Sequence, residues 1–129
     1  MDTIFLKIIR GEIPCTKIYE DEEALAFLDI HPVSKGHTLL IPKEPYIWMQ
    51  DVPDELLARM FQKTKKLMIH IKDTLPCDYV QISVVGKDVP HFHIHLIPRF
   101  FNDTLPNFPT VSYEENEMNT IAEKIKALA

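Results

Sequence analysis

Pro90-His91-Phe92-His93-Ile94-His95-Leu96-Ile97-Pro98 is the stretch on which the reading of this chain turns. A β-strand sends successive side chains to opposite faces. As a strand, this run lines three imidazoles along one face and turns Phe92, Ile94 and Leu96 to the other. Imidazole exchanges protons near neutral pH more readily than any other unperturbed side chain. Half of the six histidines of the chain are gathered here, which points to a reaction centre.

Around that strand the pattern is of one domain, residues 1–129, with 46% apolar residues and a net charge of −5. A short helix over 2–10 has Asp2 as its cap and Gly11 as its stop. Strands are expected at 17–20 and 24–28 around an Asp21-Glu22-Glu23 turn, and at 37–41 after Lys35-Gly36. From Pro53 to Thr74, Leu56, Leu57, Met60, Phe61, Thr64, Leu67, Met68 and Ile71 recur at helical spacing, with Asp51 as N-cap. Lys63, Lys65 and Lys66 fall on a solvated face of this helix, and His70 lies outside its apolar stripe. A fourth strand over 79–85 leads through Gly86-Lys87-Asp88 to the histidine strand, 91–98. Residues 101–111 are irregular. Ser112 and Glu115 have the spacing of a capping box for a last helix ending near Leu128. The sum is an α+β fold: a five-stranded, mainly antiparallel sheet, a long central helix, and helices at both ends.

Composition narrows the partners. A weakly acidic chain with no basic stripe argues against nucleic acid. No apolar run is long enough to span a bilayer, and Asp2, Lys7, Arg10 and Glu12 interrupt any signal-peptide pattern. Cys15 and Cys77 are too far apart for a Cys-x-x-Cys element. They read as buried or inert thiols in a reducing cytoplasm.

Three chemistries suit the histidine strand. In the first the imidazoles are structural only. In the second they hold a metal, but His91 and His95 begin ~13 Å apart along a strand at ~3.3 Å per residue, and the necessary partners (His37, Asp88 or His31) form no paired motif. The third is nucleophilic catalysis at phosphorus. There the middle imidazole attacks and its neighbours hold the phosphate oxygens, with one nitrogen of the attacker fixed by an acceptor so that the other is bare.

The run His91-Phe-His93-Ile-His95-Leu-Ile97 resembles the signature of the histidine-triad (HIT) family of nucleotide hydrolases and transferases. The opening supports this: Asp2-Thr-Ile-Phe5, Lys7-Ile-Ile-Arg10, Glu12-Ile-Pro14, Glu20-Asp21, Leu25-Ala-Phe27, Asp29-Ile30, Pro32, Gly36-His37 and Leu40-Ile-Pro-Lys43 are similar to the Hint branch, the purine nucleoside phosphoramidases. The resemblance covers residues 2–45 and 79–99 and leaves 100–129 as a divergent tail. It implies a HIT-like fold and a homodimer paired through the long helix and a sheet edge. It also implies hydrolysis through a nucleotidyl-His93 intermediate, with His93 as nucleophile. His91 and His95 match the flanking residues that position it and touch the α-phosphate, and His37 matches a fourth histidine. Asp29 corresponds to the carboxylate that takes the ribose hydroxyls. Phe5, Ile8, Phe27 and Ile30, with Ile4 beside them, correspond to the purine pocket. The ligands implied are a purine nucleoside monophosphate, AMP or GMP, and its phosphoramidate or anhydride derivatives, without a cofactor.

The chain departs from that branch before the triad. There the loop is longer and glycine-rich, and it ends in Gly-Gln-Ser or Gly-Gln-Thr, whose amide and hydroxyl serve the phosphate and leaving group. Here Gly86-Lys87-Asp88 stands in its place. The upstream asparagine is missing, with Ser83 nearby, and Val89-Pro90-His91 resembles a bacterial subgroup with the same shortened loop. Lys87 and Asp88, with Ser83, are therefore expected on the leaving-group side. Thr3-Ile4-Phe5-Leu6 replaces the zinc-binding Cys-x-x-Cys of some relatives, so no metal is expected. His31 matches no family role and reads as a turn residue. Two other activities remain open: a dinucleoside polyphosphate hydrolase or nucleotidyltransferase, and a nucleotide-binding regulator with little turnover.

Overall fold

The structure, a computed structural model, describes residues 2–105 and 108–127. Its elements are α1 (Ile4–Ile9), β1 (Lys17–Glu20), β2 (Ala24–Leu28), β3 (Thr38–Pro42), a 3-10 turn (Met49–Asp51), α2 (Asp54–Thr74), β4 (Tyr79–Ser83), β5 (Ile94–Arg99) and α3 (Glu117–Lys126). The strands form one antiparallel sheet in the order β1-β2-β3-β5-β4. This is the α+β architecture expected from the sequence. No helix among the described residues is long and apolar enough to cross a membrane.

The sheet has helices on both faces, and the strand sequences show it. Ala24, Ala26 and Leu40 pack with Met60 and Leu67 of α2, while Leu25, Phe27, Leu39 and Ile41 pack with Phe5 of α1. A strand buried on both faces reads as an unbroken apolar run, which is why β2 is Ala-Leu-Ala-Phe-Leu. The turn before it is set by Asp21, whose Oδ1 accepts the amides of Glu23 and Ala24 at 2.9 and 2.8 Å. Glu23 in turn takes Arg59 and Lys63 of α2. Lys63 is thus an anchor between turn and helix, whereas His70 is exposed as expected.

Several expected ends move by a few residues. Thr3, not Asp2, caps α1, accepting the Leu6 amide at 3.2 Å; Asp2 pairs with Arg10 instead. Asp51 does not cap α2, because its carboxylate closes the 3-10 turn on the Trp48 amide. The last helix starts at Glu117 rather than after Ser112. Asn116 sits there in the left-handed region (φ 67°), which asparagine tolerates, and the Glu117 carboxylate accepts the Glu114 amide. The expected end near Leu128 lies outside the described residues.

Candidate functional site

The histidine run enters the sheet later than periodicity suggests. The β3–β5 ladder pairs Thr38 with Leu96, Leu39 with His95 and Leu40 with Ile94, then stops. Pro42 and Pro90 bracket that end, and neither has an amide to donate. Side chains and loop backbone take over the exposed partners. The Phe92 amide reaches the Tyr46 carbonyl at 2.6 Å, and His91 Nε2 lies 2.7 Å from the Pro42 carbonyl. Alternation survives beyond the ladder: Phe92, Ile94 and Leu96 are in the α2-side core, while His93 meets Phe5 of α1 edge-on at 4.9 Å.

Hydrogen-bond partners fix the tautomers. His93 Nδ1 lies 2.7 Å from the His91 carbonyl, an acceptor only, so Nδ1 carries the proton and Nε2 is a bare lone pair. The Val33 amide donates to His37 Nδ1 at 3.0 Å, so the His37 proton is on Nε2. That group donates to His95 Nδ1 at 2.9 Å, which leaves His95 an N–H on Nε2. One imidazole is thereby prepared to attack and its neighbour to donate.

Burial favours the neutral form of His95, His37 and His91. His95 is pushed down to about 4 by burial first, then by His93 and His37. Burial also lowers His37, against the pull of Asp29, and lowers His91, whose bond to Pro42 only partly compensates. A protonated His91 would add an N–H at Nδ1, an atom with no partner among the described residues.

A cavity of about 520 Å³ opens on the α1 side of the sheet. His93 and His95 line it together with Ile4, Phe5, Ile8, Phe27, Asp29 and Ile30, and Lys87 and Asp88 line it too. Asp29 uses Oδ1 to accept the His31 amide at 2.9 Å, and its Oδ2 is 3.7 Å from His37 Nε2. Three sequence candidates stand elsewhere. His91 is fully buried and does not line the cavity, so in this geometry its ring does not touch a phosphate there; only its carbonyl reaches His93. His37 lies behind His95 and acts on it. Ser83 faces its own strand, its Oγ accepting Gln81 Nε2 at 2.9 Å, away from the cavity wall.

Sequence reasoning passed over other wall residues. His31 lines the cavity rather than serving only as a turn residue, and Cys15 lines it beside Ile13 and Pro14. The run Glu12-Ile-Pro14 was visible as a motif, but nothing in its spacing says that the chain after α1 folds back over the pocket. Asp29, His37 and His95 bring ligand atoms within 4.8 Å of one another, as a metal site would. The Val33 amide opposes that use, since metal on His37 Nε2 would require loss of the proton this amide places there.

A family model for the HIT domain matches residues 10–102. The chain belongs to the HIT family. The adenosine 5′-monophosphoramidase hnt1 of Schizosaccharomyces pombe is 35% identical over 98% of this chain and 98% of its own. The adenylylsulfatase HINT3 of Arabidopsis thaliana is 39% identical over 81% of this chain and 55% of its own. The crystal structure of a HIT family member from Bacillus subtilis superposes with a TM-score of 0.86 at 34% identity, covering 98% of this chain and 96% of that one. The HIT-like fold expected from the triad is thus the fold observed.

Proposed function

We propose that this HIT-family hydrolase cleaves a nucleoside 5′-monophosphate, AMP or GMP, from phosphoramidates and related substrates through a nucleotidyl-His93 intermediate. The observation that carries the reading is the His93 tautomer: Nδ1–H is spent on the His91 carbonyl and Nε2 is bare on a residue that lines the cavity. The Schizosaccharomyces relative, named a phosphoramidase, supports the substrate class. In the first half-reaction His93 Nε2 forms a bond to the α-phosphorus as the P–N bond breaks. His95 Nε2–H donates to a non-bridging oxygen as charge builds there. The leaving nitrogen departs towards Lys87 and Asp88, where the lysine ammonium can supply the proton it takes. Water then attacks the phosphorus and gives its proton to the Lys87 amine, the P–N bond to His93 breaks with its electron pair returning to Nε2, and the monophosphate leaves. Asp29 Oδ2 takes the ribose hydroxyls, and Phe5, Ile8, Phe27, Ile30 and Ile4 enclose the purine.

Asp88 gives the leaving-group side a negative charge absent from a Gly-Gln-Ser loop. It disfavours polyphosphate leaving groups and favours neutral or cationic ones. We place the protein in the cytoplasm as a homodimer.

The test is rapid mixing with adenosine phosphoramidate labelled in the adenylate. A burst of label on the protein, lost in His93→Ala, supports the intermediate. Binding without labelling or turnover would make the protein a nucleotide sensor. Turnover of a diadenosine polyphosphate well above that of the phosphoramidate would overturn the assignment to Asp88.

A further inference from the structure

The loop that carries Lys87 and Asp88 is held by little of its own. β4 ends at Ser83, opposite His95. Among the described residues, no backbone hydrogen bond ties Val85, Gly86, Lys87 or Asp88 to the rest of the chain. Neither Lys87 nor Asp88 has an ion-pair partner among them. Yet both residues line the cavity with His93 and His95, and Asp88 is near enough to His95 for its charge to oppose the lowering of that ring. A lysine is a point charge on a flexible stem, so it is aimed only as well as its backbone is fixed.

One contact from another part of the chain supplies what the loop lacks. The six-membered ring of Trp48 lies against Gly86, where an added Cβ would meet Cζ3 at 2.9 Å and Cε3 at 3.2 Å. The ring thus rests on the one residue of the loop that has no side chain to hold it off. Trp48 itself stands on a firm base. Its amide donates to Asp51 Oδ2 at 3.1 Å, and its carbonyl accepts the Asp51 amide at 3.0 Å. Val52, next in the chain, is buried in the core cluster that holds Met60 and Phe92. The indole is 46% exposed and belongs to neither core cluster, so little of the core depends on it.

We propose that Trp48 is a positioning residue that pins Gly86, and through it Lys87 and Asp88, on the leaving-group side of the cavity. The inference rests on the reaction proposed above and deepens it by assigning the selectivity for the leaving group. An alkylamine departs from phosphorus only as it gains a proton. While the bond from His93 Nε2 to phosphorus forms and the P–N bond breaks, the departing nitrogen takes that proton from the Lys87 ammonium, which becomes a neutral amine. A nitrophenolate departs with the electron pair of its P–O bond as a stable anion and takes no proton. The aim of Lys87 therefore matters for the first leaving group and not for the second, and preference for amines is a property of the contact between Trp48 and Gly86.

Rapid mixing with two adenylates tests this: a phosphoramidate of an alkylamine and a nitrophenyl ester, each labelled in the adenylate. The rate of label transfer to the protein reports the first half-reaction alone, and the burst amplitude counts folded sites. Trp48→Ala should slow transfer from the phosphoramidate at least about tenfold and leave transfer from the ester unchanged. Trp48→Phe, which keeps an aromatic face for Gly86, should recover most of the loss. Equal slowing of both substrates, slowing of neither, or a lower amplitude at unchanged rates would overturn the positioning role while the nucleotidyl-His93 reading stands. A wild type that takes no label from the phosphoramidate would overturn that reading, and the positioning role with it.

Discussion

His93 and His95 differ in which ring nitrogen carries the proton, and the roles proposed for them follow from that difference. His93 has a carbonyl partner and keeps a bare Nε2, whereas His95 has an imidazole donor behind it and keeps an N–H. Replacing His93 with alanine is expected to lower kcat by at least about 10³-fold, as loss of a nucleophile does, read with the burst experiment. His37→Ala removes the donor that fixes His95, so kcat should fall about tenfold or more with KM little changed. A fall confined to KM would place His37 in binding instead. In nuclear magnetic resonance the His95 ring should titrate near 4 in wild type and higher in that variant, since His37 is one of the groups lowering it. Turnover should survive chelation: Val33 holds His37 in the tautomer that cannot ligate through Nε2.

At the scale of elements, the turn into β3 carries the strictest constraint. Gly36 has φ +98°, and an added Cβ would lie 2.3 Å from Leu75 Cδ1. Gly11 also has a positive φ, +78°, with open space around it. Gly36→Ala should therefore cost about 2–4 kcal/mol, strain plus overpacking, and Gly11→Ala only about 1 kcal/mol of strain. Urea midpoints at equal slope would show the difference, and equal losses would deny the role of Leu75. The same contrast shows what a sequence discloses. The unbroken apolar run of Ala24–Leu28, the alternation of Pro90–Pro98 and the stripe of α2 exposed the sheet, the helix and the shared face of the histidines, because those patterns follow from backbone geometry alone. The site departs from sequence reading where chain ends meet across space. The β3–β5 ladder stops at Leu40, so His91 spends its ring on the Pro42 carbonyl 49 residues away, and neither fact has a local signal. Cys15 and His31 reach the cavity through loop paths that no period encodes, and Ser83 is diverted by a neighbouring glutamine.

At the scale of the whole molecule, the proposed reaction centre is built into one side of a sheet whose other side is the main core, so proton uptake by the site is coupled to folding. His37, His91 and His95 are all lowered below the ordinary histidine value of 6.5, each by burial first. Between pH 6.5 and about 4 the unfolded chain therefore binds protons that the native state refuses. Stability then rises with pH and is lost as pH falls through that window. Each such proton contributes a slope of at most about 1.4 kcal/mol per pH unit, less for His95, which is part-exposed and screened. The acidic surface acts mainly at the bottom of this range and below it. Glu20 and Glu23 are lowered from 4.5 to about 2 by their lysine and arginine partners, so what they contribute is lost as pH falls from about 4.5 to about 2, and exposed pairs of this kind contribute little. The urea midpoint should consequently be lower at pH 4.5 than at pH 7. His95→Asn should flatten part of that dependence, even if it is less stable at pH 7. A midpoint unchanged between the two pH values would mean that the buried imidazoles accept protons as easily as free histidine, and the neutral tautomers assigned to the site would fall with it.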